Sequence, residues 1–169
     1  MNPINQKEDK METKKIYITW NTLLDDCKKI CNNIIKDVKY YDCIVSVGRG
    51  GMVLSRLIAE KLKIRQIHVF NIHSYVKNTS QEITTLPSFN LKLLDNKKIL
   101  VVDDVVTTGK TLEYVCGKII QEAKEPMIET VTEYYNISVN NKPIIKPNYY
   151  AVEYNANNTW LVFPWEWLD

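Results

Sequence analysis

The chain has 169 residues, 45% of them hydrophobic and 25% charged, with a formal net charge of +2, the make-up of an ordinary globular protein with a substantial core. So small and evenly spread a charge does not suit a nucleic-acid or anionic-membrane binder, and no apolar run approaches the roughly 20 residues that cross a bilayer. Met1 to Lys15 is polar and lacks the apolar segment of a signal peptide, so residues 1–14 are expected to be a flexible tail, 15–169 a single domain, and the protein cytoplasmic.

Ile16–Thr19 reads as a short strand. Thr19 and Asn21 are both competent to cap the helix that follows. In that helix Leu23, Cys27, Ile30, Ile34 and Val38 recur at three- and four-residue steps as one apolar stripe. Cys43–Val47 is a compact apolar run, a buried strand, and it ends in the tight turn Gly48-Arg49-Gly50-Gly51. A second helix is predicted from Met52 to Lys61, with Leu54, Leu57, Ile58 and Leu62 inward. Ile67–Ile72 alternates as a strand does. Residues 76–97 lose periodicity and contain Pro87, which predicts a long loop of the kind that serves as a lid or stays disordered.

Lys98–Val102 is a further apolar strand, running into Asp103-Asp104. Gly109 starts a helix that turns Leu112, Val115, Cys116, Ile119 and Ile120 inward. Met127–Tyr135 is rich in β-formers, Asn136–Asn148 is polar with two prolines, and an aromatic cluster surrounds Trp160 and Trp165. The four cysteines, Cys27, Cys31, Cys43 and Cys116, lack the paired spacings and extra ligands of a zinc site and are expected to be buried free thiols. Strands alternating with helices predict an α/β fold with a mostly parallel sheet. Ligands then bind beyond the C-terminal ends of the strands, where two loops stand out: Gly48–Gly51 and Asp103–Thr111.

In the stretch from Leu100 to Thr111 a buried strand delivers two adjacent carboxylates, followed by a turn rich in hydroxyls and glycine and then a helix start. The free N–H groups of the turn and the helix dipole form an anion site suited to a phosphate monoester. Thr107, Thr108 and Thr111 add hydroxyl donors. Asp103 and Asp104 suit ribose hydroxyls and a hard cation such as Mg2+. Phosphate, vicinal diol and metal together describe a ribose 5-phosphate. Gly109-Lys110-Thr111 also matches the end of a P-loop, but Asp104 stands where that motif requires Gly, and a carboxylate there would repel the phosphates. In the earlier turn, glycine lets backbone approach an anion and Arg49 offers charge-assisted donors.

The stretch around Asp103-Asp104-Val105-Val106-Thr107-Thr108-Gly109 resembles the motif with which type I phosphoribosyltransferases bind phosphoribosyl pyrophosphate (PRPP). The resemblance implies that Asp103 and Asp104 contact the ribose and that Thr107, Thr108, Gly109, Lys110 and Thr111 hold the 5-phosphate. Gly48, Arg49, Gly50 and Gly51 resemble the family's pyrophosphate loop. Three further features resemble the xanthine-guanine phosphoribosyltransferases and their archaeal relatives: Ile16–Trp20 as an opening strand, Ser74-Tyr75 as the start of a mobile lid, and Thr159–Glu166 as a C-terminal signature. In that signature Trp160 stacks on the purine, with Leu161 beside it.

The implied fold is a mostly parallel sheet flanked by helices, with a small hood from the N- and C-terminal segments and a flexible lid. The implied reaction joins PRPP to a nitrogenous base with Mg2+ at Asp103 and Asp104, Arg49 and the two acids being the catalytic residues. The partners are PRPP and a nucleobase, in a homo-oligomer, dimer or tetramer. Two departures bear on the base. Members acting on 6-oxopurines carry a third Asp that assists at N7, and here that position is Thr107. They also read the 6-oxo group with a Lys; Asn136 and Lys142 are the two candidates for that place, with Lys142 slightly favoured. A transferase for another base and a PRPP-sensing regulator are the alternatives.

Overall fold

The computed structural model describes residues 13–77, 80–87, 89–138 and 142–166, with the backbone alone at 73–77, 80–87 and 158. Residues 1–12 of the expected tail lie outside them. The elements are β1 (Lys14–Tyr17), α1 (Trp20–Lys36), β2 (Cys43–Gly48), α2 (Gly51–Leu62), β3 (Gln66–Lys77), β4 (Ser80–Pro87), β5 (Lys98–Val106), α3 (Lys110–Glu122), β6 (Met127–Asn136), β7 (Tyr149–Tyr154) and β8 (Thr159–Val162). Six strands form one sheet in the order β4-β3-β2-β5-β6-β7, and β1 and β8 form a separate parallel pair. Every pairing in the large sheet is parallel except β3 with β4. Among the described residues no helix is long and apolar enough to cross a membrane.

The apolar periodicities decide which face each helix covers. On α1, Leu23, Cys27, Ile30, Cys31 and Ile34 are buried, and they join Leu54, Ile58 and Ala59 of α2 over one side of the sheet. Leu112, Val115, Cys116 and Ile119 of α3 pack on the other side, against Val45, Val101 and Tyr135. Thr19 is the cap of α1, its side chain accepting from Thr22 N at 3.1 Å. All four cysteines are free and buried. A third apolar cluster, Ile18, Tyr134, Leu161 and Phe163, seats the β1–β8 ribbon over one end of the sheet as the hood.

Three expectations are corrected. The long loop over 76–97 is instead an antiparallel hairpin, β3 extended to Lys77 and returning as β4, followed by a 3-10 turn at Leu91–Leu94. β4 lies at the edge of the sheet, where proline is tolerated, and Ile83, Thr84 and Thr85 are β-branched. Val38 does not belong to the α1 stripe. The helix ends at Lys36, and Val38 sits beyond it at φ 54°, 89% exposed. Ile120 is 63% exposed, because one residue past Ile119 lies about 100° further round the helix. β7 forms an element that the polar stretch preceding it had concealed.

Candidate active site

β2 and β5 are neighbours and parallel, so their C-terminal ends open side by side. From β2 the chain passes through α2 to β3, and from β5 through α3 to β6, in opposite directions along the sheet and on opposite faces. The reversal leaves a crevice where the two loops meet. α2 begins after Gly50 and α3 after Gly109, and neither start has a side-chain cap. Two helix starts therefore lie at the ends of these neighbouring strands, each able to serve as an anion site, although Met52 N already donates to the Arg49 carbonyl at 3.2 Å and Lys110 N to Thr108 Oγ1 at 3.5 Å.

The glycines set how close the parts come. A Cβ on Gly50 would lie 2.2 Å from Asp104 Oδ2, and one on Gly51 would lie 2.3 Å from the Val102 carbonyl oxygen. The first turn of α2 is thus pressed onto β5. Gly109 has φ 80°, and a Cβ there would meet Ile145 Cγ2 at 2.8 Å. The Gly48–Arg49 peptide is cis. Arg49 is exposed and lines the crevice.

Asp103 is 7% exposed, and its Oδ1 accepts from Asp104 N at 3.0 Å. Asp104 Oδ1 accepts from Val105 N at 2.7 Å. Burial is the chief cause that raises both carboxyls above the ordinary range, and the neighbouring Asp104 charge adds to it at Asp103. Such a pair calls for a cation. Among the described residues no group of three or more His, Cys, Asp or Glu side chains could hold a metal ion. The two acids could supply part, and not the whole, of the oxygen shell that Mg2+ takes.

A cleft of about 1180 Å3 is lined by Arg49, Gly50, Asp104, Trp160, Trp165 and Glu166, among others. A cavity of about 360 Å3 adjoins it, shares Asp104, Trp160 and Glu166, and adds Thr107, Tyr154 and Leu161. Trp160 is 60% exposed and lines both. It is carried there by β8, opposite Lys15 of β1. Leu161 is mostly core, 8% exposed, with an edge at the smaller cavity.

Of the loop after β5, Thr107, Thr108 and Lys110 are exposed, Thr111 is half-buried and Gly109 is buried. Ile144 N donates to the Thr108 carbonyl at 3.0 Å, so the segment after Lys142 backs the loop that follows β5. Lys142 itself is exposed and is not among the described residues lining either cavity. Asn136 is fully buried. Its Nδ2 donates to the Thr107 carbonyl at 2.9 Å, and its Oδ1 accepts from Ser138 N at 2.9 Å and Ala156 N at 3.1 Å. Ser74 and Tyr75 lie in β3 opposite Ile83 and Glu82, with their side chains outside the described atoms.

Two residues near the site carry no motif in the sequence. Tyr154 bonds through its hydroxyl to Thr107 Oγ1 at 3.0 Å. Glu133 is fully buried, and neither of its carboxylate oxygens has a partner among the described residues. Burial, aided by the Asp26 and Asp104 carboxylates, pushes Glu133 up to about 8.

The profile of the phosphoribosyl transferase domain family matches residues 16–167. The chain belongs to that family. It is 31% identical over 155 residues to a xanthine-guanine phosphoribosyltransferase of Desulfotalea psychrophila, covering 90% of this chain and 88% of that one. It is 26% identical to the enzyme of the same name from Cereibacter sphaeroides, over 95% and 92% of the two chains. In three dimensions the transferase superimposes on a purine phosphoribosyltransferase from Pyrococcus horikoshii with a TM-score of 0.76, at 24% identity and over 90% and 94% of the chains. The expected type I fold is thus the observed one.

Proposed function

We propose that this transferase moves the phosphoribosyl group of PRPP to a 6-oxopurine (guanine, xanthine or hypoxanthine), releasing pyrophosphate and forming a nucleoside monophosphate. The observation that carries this reading is the convergence of two uncapped helix starts on Asp103-Asp104, beside a cavity walled by Trp160. Two anion sites and a diol reader match the three polar parts of PRPP, and an exposed indole face suits a flat base. The similarity to xanthine-guanine phosphoribosyltransferases supports the purine.

In this reading the loop Thr107–Thr111 holds the 5-phosphate, and Asp103 and Asp104 hold the ribose hydroxyls and would hold Mg2+. Bound with PRPP, the cation supplies positive charge to the leaving diphosphate. Arg49 and the N–H groups at the start of α2 orient that diphosphate and stabilise the charge it gains as the C1′–oxygen bond breaks. Trp160 orients the base for attack on C1′. Ile72 of β3 lines the larger cleft, which supports the hairpin continuing through Ser74 and Tyr75 as the part that excludes water. Assembly as a homo-oligomer, a dimer or tetramer, belongs to the same proposal.

Asn136 favours a second reading, a base other than a 6-oxopurine. Its amide is spent on the Thr107 carbonyl and the turn after β7 and reads no base. A panel of purines and pyrimidines, assayed for PRPP- and Mg2+-dependent pyrophosphate release, tests both. Turnover with guanine, xanthine or hypoxanthine is expected. Turnover confined to another base moves the assignment to the second reading, and release with no base rejects both.

A further inference from the structure

β6 and β7 run parallel and end together, with Asn136 opposite Tyr154 in the register and Ile137 N donating to the Tyr154 carbonyl at 2.8 Å. Both terminal side chains reach across to Thr107. Asn136 takes its carbonyl and the Tyr154 hydroxyl takes its Oγ1 at 3.0 Å. The Tyr154 ring is held edge-on by Tyr134, the centroids 6.0 Å apart at 83°. Thr107 is therefore gripped at both ends, and the phenol is fixed in place.

Thr107 and Tyr154 line the smaller cavity together with Asp104 and Trp160. Two hydroxyls joined by one hydrogen bond consume a single donor. The pair keeps one O–H and several lone pairs for whatever occupies the cavity. A carboxylate at 107 could only accept.

We propose that Tyr154, positioned by Thr107, is a specificity-determining residue that hydrogen-bonds the edge of the base stacked on Trp160 and accepts a base presenting an acceptor there, a ring nitrogen or an exocyclic oxygen. This inference rests on the transferase reading. Burial raises the phenol further above its ordinary value, so it stays a donor at neutral pH. Asn136, fully buried, sets the distance between the loop and the strand ends and touches no base.

The test compares wild type with Tyr154→Phe, which keeps the ring and its packing and removes only the hydroxyl, and with Thr107→Val. The KM for the base should rise about fivefold to tenfold in each, the usual worth of one hydrogen bond, with the KM for PRPP within twofold of wild type in Tyr154→Phe. The double variant should be no worse for the base than the single ones, since the two hydroxyls act as a unit. An unchanged base KM in Tyr154→Phe overturns the inference, as does an equal rise in both KM values, which marks a loosened loop. If wild type turns over a base, either result removes this inference alone. If wild type turns over no base, the transferase reading falls and this inference falls with it.

Discussion

Asp104 Oδ2 occupies the space that a side chain on Gly50 would need, 2.2 Å from the site of its Cβ. Gly50 has φ −54° and ψ −50°, a conformation open to any residue, so the glycine is required for room. Gly50→Ala should fold, push the Asp104 carboxylate aside, and lower kcat/KM for PRPP by about 100-fold, the scale of a lost transition-state contact. Gly51→Ala, which meets the Val102 carbonyl on a strand that cannot move, should instead lower the melting temperature. Thermal melts and steady-state kinetics separate the two; a Gly50→Ala enzyme with normal PRPP kinetics contradicts the placement of Asp104.

Replacing Asp103 and Asp104 together by Asn keeps the acceptors for the Asp104 and Val105 N–H groups and removes both charges. Turnover should fall at least about 100-fold. Because burial raises both carboxyls, the ligand-free double variant should melt higher than wild type at pH 7. A folded double variant with near-normal turnover refutes the site.

Glu133 offers a pH test. Its folded value near 8 lies above the ordinary 4.5, so the folded state holds a proton that the unfolded chain has lost. Its stabilising share is complete below about pH 4.5, declines as pH rises, and is gone above about 8. Glu133→Gln, neutral at every pH, should stabilise the ligand-free protein by roughly 2 to 3 kcal/mol at pH 7 and flatten the fall in stability between those limits. Parallel pH profiles of the two proteins would show that Glu133 is not the group responsible.

Trp160 and Thr107 test the choice of base. Trp160→Ala should raise the KM for base by about tenfold and leave that for PRPP nearly unchanged. Thr107→Asp should keep or raise kcat with a 6-oxopurine, since a carboxylate there adds a general base, a group commonly worth 10²- to 10⁴-fold, while the KM for the base rises because the Tyr154 O–H turns to the carboxylate. Unchanged base affinity in Trp160→Ala excludes the stacking role.

The loops at the ends of β2 and β5 were legible in the sequence because each is a short run whose chemistry is local: an apolar strand, then glycine, acids or hydroxyls, then a helix. The hairpin was not, because β4 is an edge strand and Pro87 reads as a breaker until that edge position is known. Nor was the fate of Asn136. Its burial follows from parallel pairing with β7 and from the Thr107 carbonyl lying within reach, and neither is written near residue 136. The register that sets Tyr154 beside it is equally remote, so the residue proposed to face the base from that wall carries no motif. Val38 failed for a simpler reason: the apolar rhythm ran past the last helical turn.

The β1–β8 ribbon gives the site an order of birth. Ile16 pairs with Leu161 and Tyr17 with Val162, so the wall bearing Trp160 joins a segment that precedes the large sheet to one that follows it. β2, β5 and the helices that follow them all precede β8 in the chain, so the hood is the last part of the site to be completed. In the proposed reaction the parts that hold PRPP are thus synthesised before the wall that seats the base, and the base site is complete only once β8 returns to pair with β1.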